Sequence, residues 1–148
     1  MREVQEAARV IGLQIIHVLN ATTSREIDAA FATLARERPD ALFVAPSVFF
    51  NSRRVQLATL AARDRIPAAY ATREYVAAGG LMSYGTDVVD SYSQVGVYTG
   101  SILKGAKPAD LPVLQSTKFE FVINVQTARA LGIEVPNSIQ LLADEVIE

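Results

Sequence analysis

Short apolar runs alternate regularly with stretches of helical period from Glu3 to Lys104, and that rhythm restricts the possible folds of this chain more than any other feature. Val4, Ala7, Ala8 and Ile11 recur at the spacing of one helix face, and Gly12 is placed to take a left-handed cap. Residues 13–19 then read as a strand. Thr23 with Glu26 three positions on is a capping box that starts a second helix, whose apolar face is Ile27, Ala30, Phe31 and Leu34. Pro39 and Asp40 stop it. The run 41–45 has the form of a buried parallel strand. A helix over 53–63 turns Leu57, Leu60 and Ala61 inward, and 66–70 gives another strand. A short helical or irregular piece follows at 73–78, and Gly79-Gly80 breaks it. Residues 81–84 form a fourth strand, Gly85 turns the chain, and Thr86 or Asp87 caps a long helix running to Lys104.

Helix and strand in this order predict an α/β fold built on a doubly wound parallel sheet with helices on both faces. Ligands of such sheets bind beyond the carboxyl ends of the strands. That rule selects the loops 20–24, 46–51 and 83–87, with 71–74 as a fourth. The rhythm changes past Gly105. Lys107, Pro108 and Pro112 mark a connector, 119–125 is an extended run, Asn124 caps a short helix to Leu131, and Gly132 ends it. The chain therefore divides into an α/β part over 1–105, with its opening strand lacking, and an appendage over 106–148 that packs against something else.

Composition narrows the function by exclusion. The 148 residues carry 14 basic and 16 acidic groups, a net charge of −2, with no basic run. Nucleic acid and an anionic membrane surface have no electrostatic footprint to meet. No apolar run approaches the roughly 18 residues of a membrane-spanning helix. Met1 opens directly into a helical pattern, which is not the form of a signal peptide. There is no Cys, so disulfides, thiolate metal sites and Cys nucleophiles are out, although Cys usage does not by itself place the protein in a compartment. His17 is the sole histidine, and one imidazole builds no histidine metal cluster. It reads as a strand-edge histidine, since no placed nucleophile accompanies it. No metal or cofactor is implied.

Other features have plain structural accounts. Gly79-Gly80 lacks the spacing of a nucleotide-binding loop and reads as a tight turn. Asp87 and Asp90 read as an N-cap and a first-turn acid rather than an acid–base pair. Arg53-Arg54 reads as a helix-surface pair, and Gly96, Tyr98 and Gly100 as helix packing. Phe49 and Phe50 are consecutive aromatics in an expected loop and cannot both point inward with ease, so they either serve simple packing or leave at least one to cover a ligand or partner surface.

The blocks Ala41-Leu42-Phe43-Val44-Ala45-Pro46-Ser47-Val48-Phe49-Phe50, Ile66-Pro67-Ala68, Arg73-Glu74-Tyr75-Val76-Ala77-Ala78-Gly79-Gly80-Leu81-Met82-Ser83-Tyr84-Gly85 and Ile102-Leu103-Lys104-Gly105-Ala106-Lys107-Pro108 occur in one order. With Thr117-Lys118-Phe119-Glu120-Phe121-Val122-Ile123-Asn124 and Ala143-Asp144-Glu145-Val146-Ile147-Glu148, they resemble the second lobe of ABC-transporter substrate-binding proteins of the tryptophan and tyrosine type. The resemblance implies one lobe, the C-terminal one, of a type I periplasmic-binding-protein fold. In that fold two α/β lobes joined by a hinge clamp a small molecule such as an amino acid.

It further implies a non-enzymatic protein exported to the periplasm or another extracytoplasmic space, with an ABC permease and its ATPase as partners. Residues 106–148 become the hinge return and C-terminal segment, and uncovered surface favours self-association of a lone lobe. Ser47, Phe49, Glu74, Ser83 and Tyr84 are the expected cleft residues. Ser47 and Ser83 would hydrogen-bond, Phe49 or Tyr84 would stack, and Glu74 would pair a ligand cation or hold a loop. At Pro46-Ser47 relatives often show a Thr-Asp pair, so amine recognition at that loop departs from the pattern. The second reading is a ligand-sensing domain of a regulator with the same fold. An enzyme of another doubly wound family would need a catalytic constellation that the single His and absent Cys do not supply.

Overall fold

The computed structural model describes residues 2–148, with side chains from Val4 onward. The chain forms two compact units, Met1–Pro39 and Asp40–Glu148. The first holds α1 (Arg2–Val10) and α2 (Ser24–Glu37). Gly12 adopts φ 76° after α1, as its position predicts. The capping box of α2 is complete. Thr23 Oγ1 accepts from the Glu26 amide at 3.2 Å, and Glu26 Oε2 accepts from the Thr23 amide at 3.2 Å. Because the Thr22 amide and hydroxyl also donate to Glu26, its carboxyl is held below the usual carboxylate range. Ile27, Phe31 and Leu34 are buried, as the face pattern requires.

Residues 13–19 do not form the expected strand. They carry the right residues, but a strand exists only where a neighbour takes up its N–H and C=O groups, and this segment joins no ladder. Its apolar side chains Leu13, Ile16 and Val18 are exposed. His17 Nε2 lies 2.5 Å from the Glu37 carboxylate of α2, an ordinary polar contact for the one imidazole.

The second unit contains a five-stranded sheet in the order β1 (Leu42–Phe43), β2 (Ala68–Tyr70), β3 (Met82–Thr86), β4 (Phe119–Asn124), β5 (Glu145–Ile147). Flanking helices are α3 (Val48–Ser52), α4 (Arg54–Arg63), α5 (Arg73–Ala77), α6 (Val88–Leu103), α7 (Val125–Leu131) and α8 (Asn137–Gln140). β1, β2 and β3 run parallel, and β5 runs parallel to β4. β4 is antiparallel to β3, pairing Ser83 with Val122 and Thr86 with Phe119. The sheet is therefore mostly rather than wholly parallel. Apolar alternation fixes which face a residue takes but not the direction in which a strand runs.

The core lies between the sheet and its short helices: Leu57, Leu60 and Ala61 of α4, Tyr75 and Val76 of α5, Ala68 and Tyr70 of β2, and Val122 and Ile123 of β4 are buried. Tyr70 stacks on Tyr75 with ring centroids 4.5 Å apart. Gly85 does not turn the chain. It lies inside β3, where a Cβ would fall 1.9 Å from the Ala71 carbonyl oxygen, so the absent side chain permits a close approach of backbones. Gly96 and Gly100, expected to serve close packing, have nothing within 4 Å of a built Cβ. α6 presents no packed face there.

Candidate functional site

At the carboxyl edge of the parallel strands, the chain leaves β2 through Ala71-Thr72 into α5 and leaves β3 through Asp87 into α6. Because β4 runs the other way, its first residues return to the same edge. A cavity of about 130 Å³ opens there. Thr72, Arg73 and Glu74 line it from α5 and its approach, and Thr86, Asp87, Val88 and Val89 from the β3–α6 junction. Glu120 closes it from β4.

Most of the charge at this edge is internally matched. Arg73 reaches Glu120 at 2.7 Å and also pairs with Glu145 of β5, so one guanidinium ties α5 to two strands. The Glu120 carboxylate first, and Glu145 after it, hold the Arg73 pKa above its ordinary value. Lys118 Nζ meets Asp87 Oδ2 at 2.7 Å, and the Asp90 amide donates to Asp87 Oδ1 at 3.0 Å. The Lys118 contact and then that amide keep the Asp87 carboxyl below the usual range, and the same pair raises Lys118. Asp87 is the N-cap of α6 and Asp90 sits in its first turn, as their spacing predicts.

Glu74 differs from its neighbours. It enters no ion pair among the described residues, and its Oε2 is buried without a hydrogen-bond partner. The hydroxyl of Thr72, two residues earlier, is in the same state.

Of the five residues expected in a cleft, Glu74 alone lines this cavity. Ser47 is exposed at the N-cap position of α3, just past β1. Phe49 lies within α3 rather than in a loop, half-buried, its ring 5.7 Å from that of Phe50. A single helical turn lets consecutive aromatics diverge by about 100°, which resolves the difficulty of seating both. Ser83 is 1% exposed in the middle of the sheet, and Tyr84 is 62% exposed with its ring stacked at 5.8 Å on Phe119. Thr72, Arg73 and Asp87 fall in the loops 71–74 and 83–87 that the strand-end rule selects, although they are not among the five residues named, and Glu120 lies outside every selected loop. The usable signal was Glu120, a carboxylate between two phenylalanines at the start of an extended run.

The family model "ABC transporter substrate binding protein" matches residues 1–147. The chain belongs to that family. Its members are grouped as substrate-binding proteins rather than as an enzyme class. Among solved structures, the chain is similar to a conserved domain protein from Vibrio cholerae, at 25% identity and a TM-score of 0.88. It is also similar to an ABC domain from Streptococcus pneumoniae determined in complex with L-Trp, at 28% identity and a TM-score of 0.87. A ligand-free, open substrate binding protein with adhesive properties from Clostridium difficile shares the fold, at 24% identity and a TM-score of 0.67. Each comparison covers 99% of this chain but only 49%, 50% and 48% of the other, in that order, so the chain spans about half the length of these relatives. No curated protein matches it.

Proposed function

We propose that this chain is the C-terminal lobe of the solute-binding component of an ABC importer, with its ligand seated at the carboxyl edge of β2 and β3. The cavity volume carries the reading. A complete small-molecule site encloses about 300–1,000 Å³, and about 130 Å³ bounded on one side by α5, the β3–α6 junction and β4 suits one wall of a two-lobe cleft. In this reading Glu74 contacts the ligand, Ser47, Phe49 and Tyr84 flank the contact, and Ser83 lies beneath it. The ligand is a small molecule of the amino-acid class, a choice supported by the L-Trp complex of the pneumococcal relative. The protein acts outside the cytoplasm, performs no catalysis, and delivers its ligand to a permease driven by an ATPase. Residues 106–148 form the return across the hinge. The open side of α6 meets the other lobe, and a lone lobe covers it with a second copy.

Ligand binding favours closure of two lobes only by its differential affinity for the closed state. A lobe acting alone offers half the contacts. Titrating this chain with L-tryptophan is expected to give millimolar binding, read as shifts of the Thr72, Thr86 and Asp87 amide signals. Micromolar affinity in calorimetry would overturn the half-site reading, as would shifts confined to another part of the chain.

A further inference from the structure

We infer that two copies of this chain exchange strands, residues 13–19 of each adding to the open edge of β1 in the other. Neither the ligand reading nor the open side of α6 enters the argument. Residues 13–19 have the composition of a strand, yet among the described residues no amide or carbonyl from Gln14 to Leu19 takes a backbone hydrogen bond. Leu13 and Leu19 are exposed, and so are Ile16 and Val18 at the alternate positions. Both faces that an extended segment would present are therefore apolar and uncovered.

The sheet has two edges, and they are guarded differently. β5 carries Glu145 within it and lies between Asp144 and Glu148, charges of the kind that keep an edge strand from pairing further. The run 41–45 around β1 is Ala-Leu-Phe-Val-Ala, with neither a charge nor a proline to block it. The amides of Leu42 and Val44 donate to the Pro67 and Ala69 carbonyls on the β2 side, at 2.8 and 3.0 Å. The N–H and C=O of Phe43 between them therefore point to the open side, and Phe43 is 54% exposed. So continuous an apolar run suits a strand with neighbours on both sides, but β1 ends the sheet. One chain thus carries both halves of a pairing, a bare strand and a bare edge, and the sheet of a single copy joins them to nothing. Two copies satisfy both halves at once. Each gives a strand and accepts one, so the contact is two-fold and closed, held by main-chain bonds as in other cases of strand addition. Pairing β1 with β1 of a second copy would cover the edge but leave 13–19 bare.

Sedimentation equilibrium and amide exchange on the intact chain test this. The parent is expected to dimerise, and raising its concentration should slow exchange about tenfold at Phe43 and at alternate residues of 14–18. Two variants remove one half each. Ile15→Pro with Ile16→Pro takes amides of both parities from the strand, and Phe43→Lys guards the edge. Each should be monomeric alone. Mixed, they should form a heterodimer weaker than the parent dimer, because the intact strand of the second still meets the intact edge of the first. A monomeric parent would overturn the proposal, including one in which 14–18 is protected at every concentration by pairing within its own copy. So would a proline variant that dimerises like the parent, which would mean that β1 pairs with itself or that another surface joins the copies. A mixture of folded variants that stays monomeric counts against it equally. Should Phe43→Lys fail to fold, the alternate-residue protection in the parent decides the matter by its presence or absence.

Discussion

α4 and α6 make opposite use of apolar residues. α4 is the shorter and the less apolar, yet it buries Leu57, Ala58, Leu60 and Ala61. α6 runs for 16 residues and buries none. Val89 is 77% exposed, Leu103 83%, and Tyr92 and Val95 are open as well. The difference lies in what stands opposite. α4 faces α5 and the sheet, whereas α6 meets no comparable surface within its unit. An apolar side chain contributes to stability by the area it removes from water, and composition alone removes none. Val89, Tyr92, Val95 and Leu103 therefore remain uncovered apolar surface within this unit.

The largest expected effect concerns the packed side of this contrast. Gly85→Ala places a methyl group 1.9 Å from a backbone oxygen, with no side chain free to yield. We expect a loss of at least about 4 kcal/mol, or failure to fold, in urea denaturation. A variant as stable as the parent would mean that β2 and β3 do not approach in this way.

Next in size is the direct contest between the two helices. Leu57→Ala in α4 should cost about 2–4 kcal/mol, whereas Leu103→Ala in α6 should stay within about 0.5 kcal/mol. Equal costs would show that α6 is packed in solution, and the comparison would collapse.

The smallest effect tests what holds the start of α6. The folded Asp87 carboxyl titrates below its ordinary value of 3.8, so its contribution is present above that pH and is lost as the pH falls through the lower folded value. Lys118 is raised above 10.5, so its share is present below that value and fades as the pH rises past it. Stability measured at pH 6 and at pH 3 should fall more in the parent than in Asp87→Asn. Identical falls would remove this pair from the account.

Local chemistry was legible in the sequence where a feature is completed within a few residues. The Thr23–Glu26 box, the Gly12 and Gly132 caps and the Asp87 cap need only the chain around them. What depended on a distant partner was not. Residues 13–19 look like a strand but lack a ladder, and the three-residue β5 looks like nothing until β4 pairs with it. The candidate site follows the same division. Glu74 was singled out by the resemblance of the block around it. Arg73 gains its place only through Glu120 and Glu145, which are 47 and 72 positions away.

The reversal of β4 has a mechanical consequence. The chain departs from the carboxyl edge of β3 at Asp87, travels about 24 Å along α6, and comes back along the connector to the same edge at Lys118. Tyr98 holds the outgoing and returning strokes together by donating to the Pro112 carbonyl at 2.5 Å. At the base the Asp87 amide donates to the Lys118 carbonyl at 3.0 Å, and the two side chains meet beside it. Residues 88–117 are thus an arm clasped at the shoulder. Its fastening is charged and borders the cavity proposed for the ligand, since Asp87 belongs to both, so a change of charge there acts on the clasp as well.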